Sequence, residues 1–224
     1  MDFETLVKER RSIRGYKPDP VPKEVIEEIV EIAKGAPSSM NTQPWFLHVV
    51  TGAPLDRIRE GNTERMLGGA KVNREIPVHD AYKGIHRQRQ IEIAIQLFEA
   101  MGIERDDKER RQDWVLRGFR QFDAPVSIVL AYDSSLEPAT ISHFDLGAIV
   151  YGLTLAAWTR GLGTVINGQG IMQSDVVREH AKIPDWQTIM TCVAMGYPDE
   201  DFSANKVKSR RTPNDEIISY VGFE

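Results

Sequence analysis

A single cysteine, Cys192, stands in a chain of 224 residues. One thiol excludes an intrachain disulfide and a multi-cysteine metal site, and makes a reducing cytoplasm the default compartment. Its place in the apolar run 188–195 reads as a small buried filler in preference to a nucleophile. A secretory leader is not expected, because the chain opens Met-Asp-Phe-Glu with no basic stretch and no apolar run behind it. The most apolar segment, Leu146–Trp158, falls short of the ~20 residues that span a bilayer, so no membrane partner is expected. Basic charge is in deficit: 28 Lys and Arg stand against 33 Asp and Glu, for a net charge of −5. That balance argues against a general nucleic-acid surface, and any anion site must be local.

Several catalytic signatures are absent as well. His48, His79, His86, His143 and His180 show neither H-E-x-x-H nor paired spacing, so a metal site is not expected. No G-x-S-x-G nucleophile elbow is present. The glycine-rich stretch Gly161–Gly170, GLGTVINGQG, has no lysine where a Walker loop needs one, and its glycines fall at the wrong spacing for a dinucleotide fingerprint. Glycines after Ile166 still let backbone N–H groups approach a planar ligand. With no side-chain machinery evident, a cofactor is the better source of chemistry.

What is present is an α+β alternation. Asp2 can cap a helix carrying Phe3, Leu6 and Val7 on one face, and Val25, Ile26, Ile29, Ile32 and Ala33 repeat at helical spacing behind Pro22. Strands are expected at 46–50, 124–133, 164–166 and 188–197, and helices near 55–67, 88–101 and 175–181. The stretch 102–114 reads as a solvated loop leading into a helix that ends near Phe122, and residues 61–122 read as an insertion between two strands. Helix 146–158 is apolar on every face, which asks for burial on all sides, in the core or against a second subunit. The tail 215–223 reads as extended and apolar, and needs something to pack against.

Two basic clusters mark the ends of this acidic chain. Residues 9–16, ERRSIRGY, place Arg10, Arg11 and Arg14 around Ser12; residues 206–211, KVKSRR, follow the last core strand. Their convergence would hold one phosphate through charge-assisted forks and the Ser12 hydroxyl. A helix C-terminus also favours Arg10 and Arg11, so a structural role stands beside the functional one.

With these motifs in order, RRSIRGY, APSSMNTQPW, GLGT into VINGQG, and GYPDEDFSANKVKSRR, the chain resembles the FMN-dependent nitroreductases. The resemblance implies one nitroreductase-like domain over 1–224, a mostly antiparallel sheet flanked by helices, and an intertwined homodimer with FMN at the interface. It implies that Arg10, Arg11, Ser12 and Arg14 contact the FMN phosphate, ribityl chain and pyrimidine edge, with Lys208 and Arg210 as further phosphate-binding basics. Pro37, Ser38, Ser39 and Asn41 match the loop that reaches the flavin from the other subunit, and Gly168, Gln169 and Gly170 lie near flavin N5. Where many members carry an Asn, this chain has Arg117 or Arg120. The implied activity is transfer of hydride from NAD(P)H through FMN to a nitroaromatic or quinone-like acceptor, in ping-pong fashion. Tyr82, Trp114, Arg117, Phe119, Arg120 and Phe122 could line the acceptor pocket, or belong to the core. Arg65, Lys71, Arg74, Arg87 and Arg89 could meet a 2′-phosphate, although a solvated face is the stronger reading. Rival activities are reduction of halogenated phenols or enones on the same fold, or flavin binding by a regulatory module without turnover.

Overall fold

A computed structural model describes residues 2–78 and 81–223. In chain order the elements are α1 (Phe3–Glu9), α2 (Lys23–Ala33), β1 (Trp45–Thr51), α3 (Gly52–Leu67), α4 (Gly84–Ala100), α5 (Lys108–Phe119), β2 (Val126–Asp133), α6 (Thr140–Trp158), β3 (Gly163–Ile166), α7 (Ser174–Ala181), β4 (Gln187–Gly196) and a single turn of helix, α8 (Asn214–Ile217). The strands form one sheet in the order β1-β2-β4-β3, and every pairing is antiparallel. The sequence leads only to a mostly antiparallel sheet.

β2 lies in the centre and is buried on both faces, which explains its unbroken apolar run. Its alternate residues divide two cores. Ile128, Leu130 and Tyr132 pack with Ile26 and Ile29 of α2 and Leu146, Ile149 and Leu153 of α6. Val129 faces the other way, onto Leu55 and Ile58 of α3, Val177 of α7 and Cys192 of β4. Each fully buried aliphatic side chain contributes about 1.5–3 kcal/mol, so these two layers carry most of the stability. Cys192 is buried there, and that burial pushes its thiol up to about 12.

Local chemistry sets the helix ends. Asp2 caps α1 by accepting from the Thr5 amide at 3.0 Å, and Pro22 stands at the start of α2. Asp107 caps α5 by accepting from the Arg110 amide at 3.0 Å. That cap starts the helix inside the stretch expected to be loop, and α5 then stops at Phe119, because Gln121, Phe122 and Asp123 all take positive φ. The insertion expected from residue 61 begins within α3 and carries α4 and α5, where helices are expected at 88–101 and up to about Phe122.

Helix α6 departs from expectation in one respect. It runs 19 residues, and by length and composition it is apolar enough to cross a membrane. Its sheet-facing side is buried, but Ile141, Phe144 and Tyr151 remain exposed along one stripe, at 60%, 79% and 44%. Within one chain the helix is therefore not enclosed on all sides. Exposure also marks the tail, where Ile217, Tyr220, Val221 and Phe223 lie open beyond α8, and only residues 214–217 are helical.

Candidate functional site

The N-terminal basic segment is laid onto the free edge of β3. The Ile13 amide donates to the Thr164 carbonyl at 3.0 Å, and Ser12 bridges to Thr164 as a short parallel pairing. Two glycines permit the fit. A Cβ on Gly163 would lie 2.5 Å from the Ile13 side chain, and one on Gly15 would lie 2.1 Å from the Phe202 ring.

Asn205 joins the two ends of the chain. Its buried side-chain oxygen accepts from the Arg14 and Gly15 amides at 2.7 and 3.1 Å, and its Nδ2 donates to the Gly15 and Asp199 carbonyls, each at 2.8 Å. The Asn205 carbonyl accepts from Arg11 Nε at 2.6 Å, and the Arg11 guanidinium rests 5.2 Å from the centre of the Trp158 ring. Tyr16 secures the same segment, donating from its hydroxyl to the Ile13 carbonyl at 2.7 Å. The two basic clusters therefore do converge, through a residue that sequence reasoning passed over.

The cations so gathered make no ion pair among the described residues: none of Arg10, Arg11, Arg14, Lys206, Lys208, Arg210 and Arg211 pairs with a carboxylate. Arg10 keeps a buried Nε with no hydrogen-bond partner. Burial lowers the pKa of Arg10 and of Arg14, and Arg211 lowers that of Arg10 further by like-charge repulsion. Arg211 is thus the C-terminal cation that repels Arg10; Lys208, Arg210 and Arg211 are all exposed. Desolvated cations held together against their own repulsion are a receptor for an anion such as a phosphate.

Beside them lies the 167–170 loop, fixed by buried amides. Asn167 Nδ2 donates to the Gly118 carbonyl at 2.7 Å, Asn62 Nδ2 to the Gly170 carbonyl at 2.9 Å, and Arg74 Nη2 to the Gly168 carbonyl at 2.7 Å. Gly168 and Gln169 floor a cavity of about 590 Å³ that Arg14 and Arg74 also line, with α4 and α5 forming its outer wall.

The six insertion residues separate. Trp114 and Phe122 line this cavity, and Phe122 is also a buried core residue. Phe119 is buried away from it, its carbonyl accepting from Asn62. Arg117 turns to the N-terminal segment, donating to the Arg14 carbonyl at 3.1 Å and lying over Phe202. Arg120 is engaged by Asp113 and Asp123 on the surface, and Tyr82 is half-exposed outside the cavity lining. Helix α5 presents one stripe inward, so aromatics and cations close in sequence point in different directions.

Pro37, Ser38, Ser39 and Asn41 lie elsewhere. The Ser39 amide donates to Asp145 near the start of α6, whereas Arg11 stacks on Trp158 at its end. Those positions are roughly 20 Å apart along the helix axis. The loop is exposed, and Met40, Asn41 and Gln43 hold φ of 49°, 59° and 46°. Strained left-handed backbone in non-glycine residues is frequent at functional edges.

An antiparallel sheet flanked by helices thus carries a basic cluster beside a glycine-floored cavity, an α+β arrangement with the charge to accept an anion. Comparison makes the assignment: the chain belongs to the Nitroreductase family, whose sequence profile matches residues 7–197. It is similar to the chloronitrobenzene nitroreductase of Comamonas testosteroni, with 33% identity over 98% of this chain and 96% of that one. It is also similar to the nitrobenzene nitroreductase of Ectopseudomonas oleovorans, with 32% identity over the same shares. Among solved structures it matches the FMN-dependent nitroreductase NfnB from Mycobacterium smegmatis in complex with NADPH, at TM-score 0.89 and 27% identity over 97% of each chain.

Proposed function

We propose that this chain is an FMN-dependent nitroreductase, reducing a nitroaromatic or quinone-like acceptor with electrons from NAD(P)H by a ping-pong mechanism. The observation that carries the reading is the cluster of arginines and lysines without carboxylate partners, joined by Asn205 and set beside the 167–170 cavity. Relatives named as nitroreductases, matched over nearly their full length, support the same activity.

The residues present fit such a cofactor. Its phosphate suits Arg10, whose buried Nε lacks a partner, together with Arg11, Ser12, Lys208 and Arg210, and Arg211 joins that group. Arg14 lines the cavity and would meet the ring's pyrimidine edge, while Gly168 and Gln169 would offer backbone to N5; Gly170 is buried behind them, its carbonyl accepting from Asn62. Bound FMN would supply hydride acceptance from NAD(P)H and delivery to the acceptor that takes the donor's place. The protein's part is to hold the ring, shield it with α4 and α5, and stabilise negative charge with Arg14. Residues 1–224 then act as one domain, with residues 61–122 as the wall of the acceptor pocket.

Homodimer assembly completes the reading. Pro37, Ser38, Ser39 and Asn41 lie a helix length from Arg11 in their own chain, and a second copy can bring them to the cluster. The exposed stripe of α6 and the open tail are the apolar surfaces such a partner would cover. A reducing cytoplasm suits the lone buried thiol.

The test is anaerobic spectroscopy of the purified protein. Flavin absorbance on FMN addition, its bleaching by NAD(P)H and its return with nitrobenzene are expected. Failure to bind FMN sinks the cofactor assignment. Binding without bleaching sinks the enzyme.

A further inference from the structure

Arg65, Lys71, Arg74, Arg87 and Arg89 share one charge but not one fate. Arg65 is held by Asp175, Arg89 approaches Glu216, Arg87 bonds to Gln90, and Lys71 is exposed. Arg74 alone of these lines the cavity over Gly168. It makes no ion pair among the described residues, and its Nε is buried with no hydrogen-bond partner.

Its position is fixed from both sides. Asn73 is tied to α7: its amide donates to the Met172 carbonyl at 3.0 Å, its Oδ1 accepts from the Ser174 amide at 2.7 Å, and its Nδ2 donates to Asp175 at 2.5 Å. Glu75 accepts from Arg178 Nη2 at 2.7 Å on each oxygen, and from the Ile189 amide at 2.6 Å. An arginine between two anchored neighbours is preorganised for a ligand.

The cavity wall holds two arginines, apolar and aromatic side chains that include Trp114 and Phe98, and no carboxylate. A volume of about 590 Å³ lies in the range of small-ligand pockets. Beside a flavin ring held over Gly168 and Gln169, a neutral acceptor would offer Arg74 no counter-charge, whereas a carboxylate would meet it with charge-assisted bonds.

We propose that Arg74 is a specificity-determining residue: its guanidinium receives the carboxylate of a nitroaromatic acid seated in the cavity between α4, α5 and the 167–170 loop. The identity of the acid as an acceptor rests on the nitroreductase reading above. The recognition of a carboxylate does not.

The test uses the FMN-loaded full chain. Benzoate and its neutral analogue benzamide are titrated against the absorbance of the oxidised flavin. Benzoate is expected to bind at least about tenfold more tightly, and Arg74→Gln to remove that preference, in keeping with a charge-assisted hydrogen bond. In turnover, the ratio of kcat/KM for 4-nitrobenzoate over nitrobenzene should fall by about tenfold to a hundredfold in Arg74→Gln, and Arg74→Lys should recover part of it. Equal binding of benzoate and benzamide by the unaltered protein overturns the proposal without any variant. A ratio that does not move, with KM for NADPH raised, assigns Arg74 to the donor's phosphate and overturns it equally. No turnover with any acceptor defeats the nitroreductase reading, while the benzoate titration still decides the role of Arg74.

Discussion

Arg178 binds Glu75, the chain neighbour of Arg74, and the two arginines are used in opposite ways. Arg178 is saturated, with both Glu75 oxygens and the carbonyls of Ile183, Pro184 and Gln187 around it. Arg74, one residue from Glu75, has the Gly168 carbonyl and no carboxylate. The same division runs through the molecule. Arg59, Arg120 and Arg160 are matched with acids and hold elements together, whereas Arg10, Arg11 and Arg14 are gathered with none. A paired cation completes a structure; an unpaired one that the fold has partly dehydrated is held ready for something else.

Three substitutions break or sharpen that contrast. Glu75→Gln should have the largest effect on stability, about 3 kcal/mol, because it leaves Arg178 charged and partly buried without its partner. Chemical denaturation reads this as a lower midpoint at unchanged slope. A loss under about 1 kcal/mol would place Arg178 among the surface pairs.

Arg10→Ala comes next, and its effect should fall on the ligand instead of the fold. FMN affinity should drop about tenfold to a hundredfold, the loss expected for one charge-assisted bond to phosphate, while the thermal midpoint without FMN holds or rises. Relief of repulsion from Arg211 and of the orphaned Nε favours that rise. Fluorescence titration with FMN and a melting curve of the stripped protein check the two halves.

The smallest effect concerns Asp175, half-exposed between Arg65 and Asn73. Burial pulls its pKa upward, but the hydrogen bonds from Arg65 and Asn73 outweigh burial and hold it below the ordinary 3.8. A carboxylate whose folded pKa is depressed contributes stability above its unfolded pKa, and that contribution is lost as pH falls through the folded value. Asp175→Asn should therefore cost under about 1 kcal/mol near neutrality, and its difference from the unaltered protein should shrink below about pH 4. Melting curves from neutral pH to about pH 3 test this; a difference that grows on acidification reverses the sign.

Legibility in the sequence followed the range of the interaction. The capped α1, the Pro22-led α2 and the strands around β2 and β4 were readable because a cap is set by residues three apart and a strand by alternation. The basic residues at 10–14 and 206–211 were visible as charge. Asn205 and Asn62 were not, and Arg74 stood undistinguished from Arg65, Lys71, Arg87 and Arg89, because a lone amide or arginine carries no pattern until the chain brings Gly15, Gly170 or Gly168 beside it. The start of α5 was missed for a nearer cause: its charged first turn resembled loop, and the Asp107 cap overrides that composition.

By itself, the sequence determined which residues could be core, where the capped α1 and the Pro22-led α2 begin, and that two basic clusters flank an acidic chain, since each depends on neighbours a few positions apart. Only the tertiary structure decided which cations keep carboxylate partners and which are left facing a cavity. That choice depends on residues 94 to 190 positions distant, whose approach no local preference encodes.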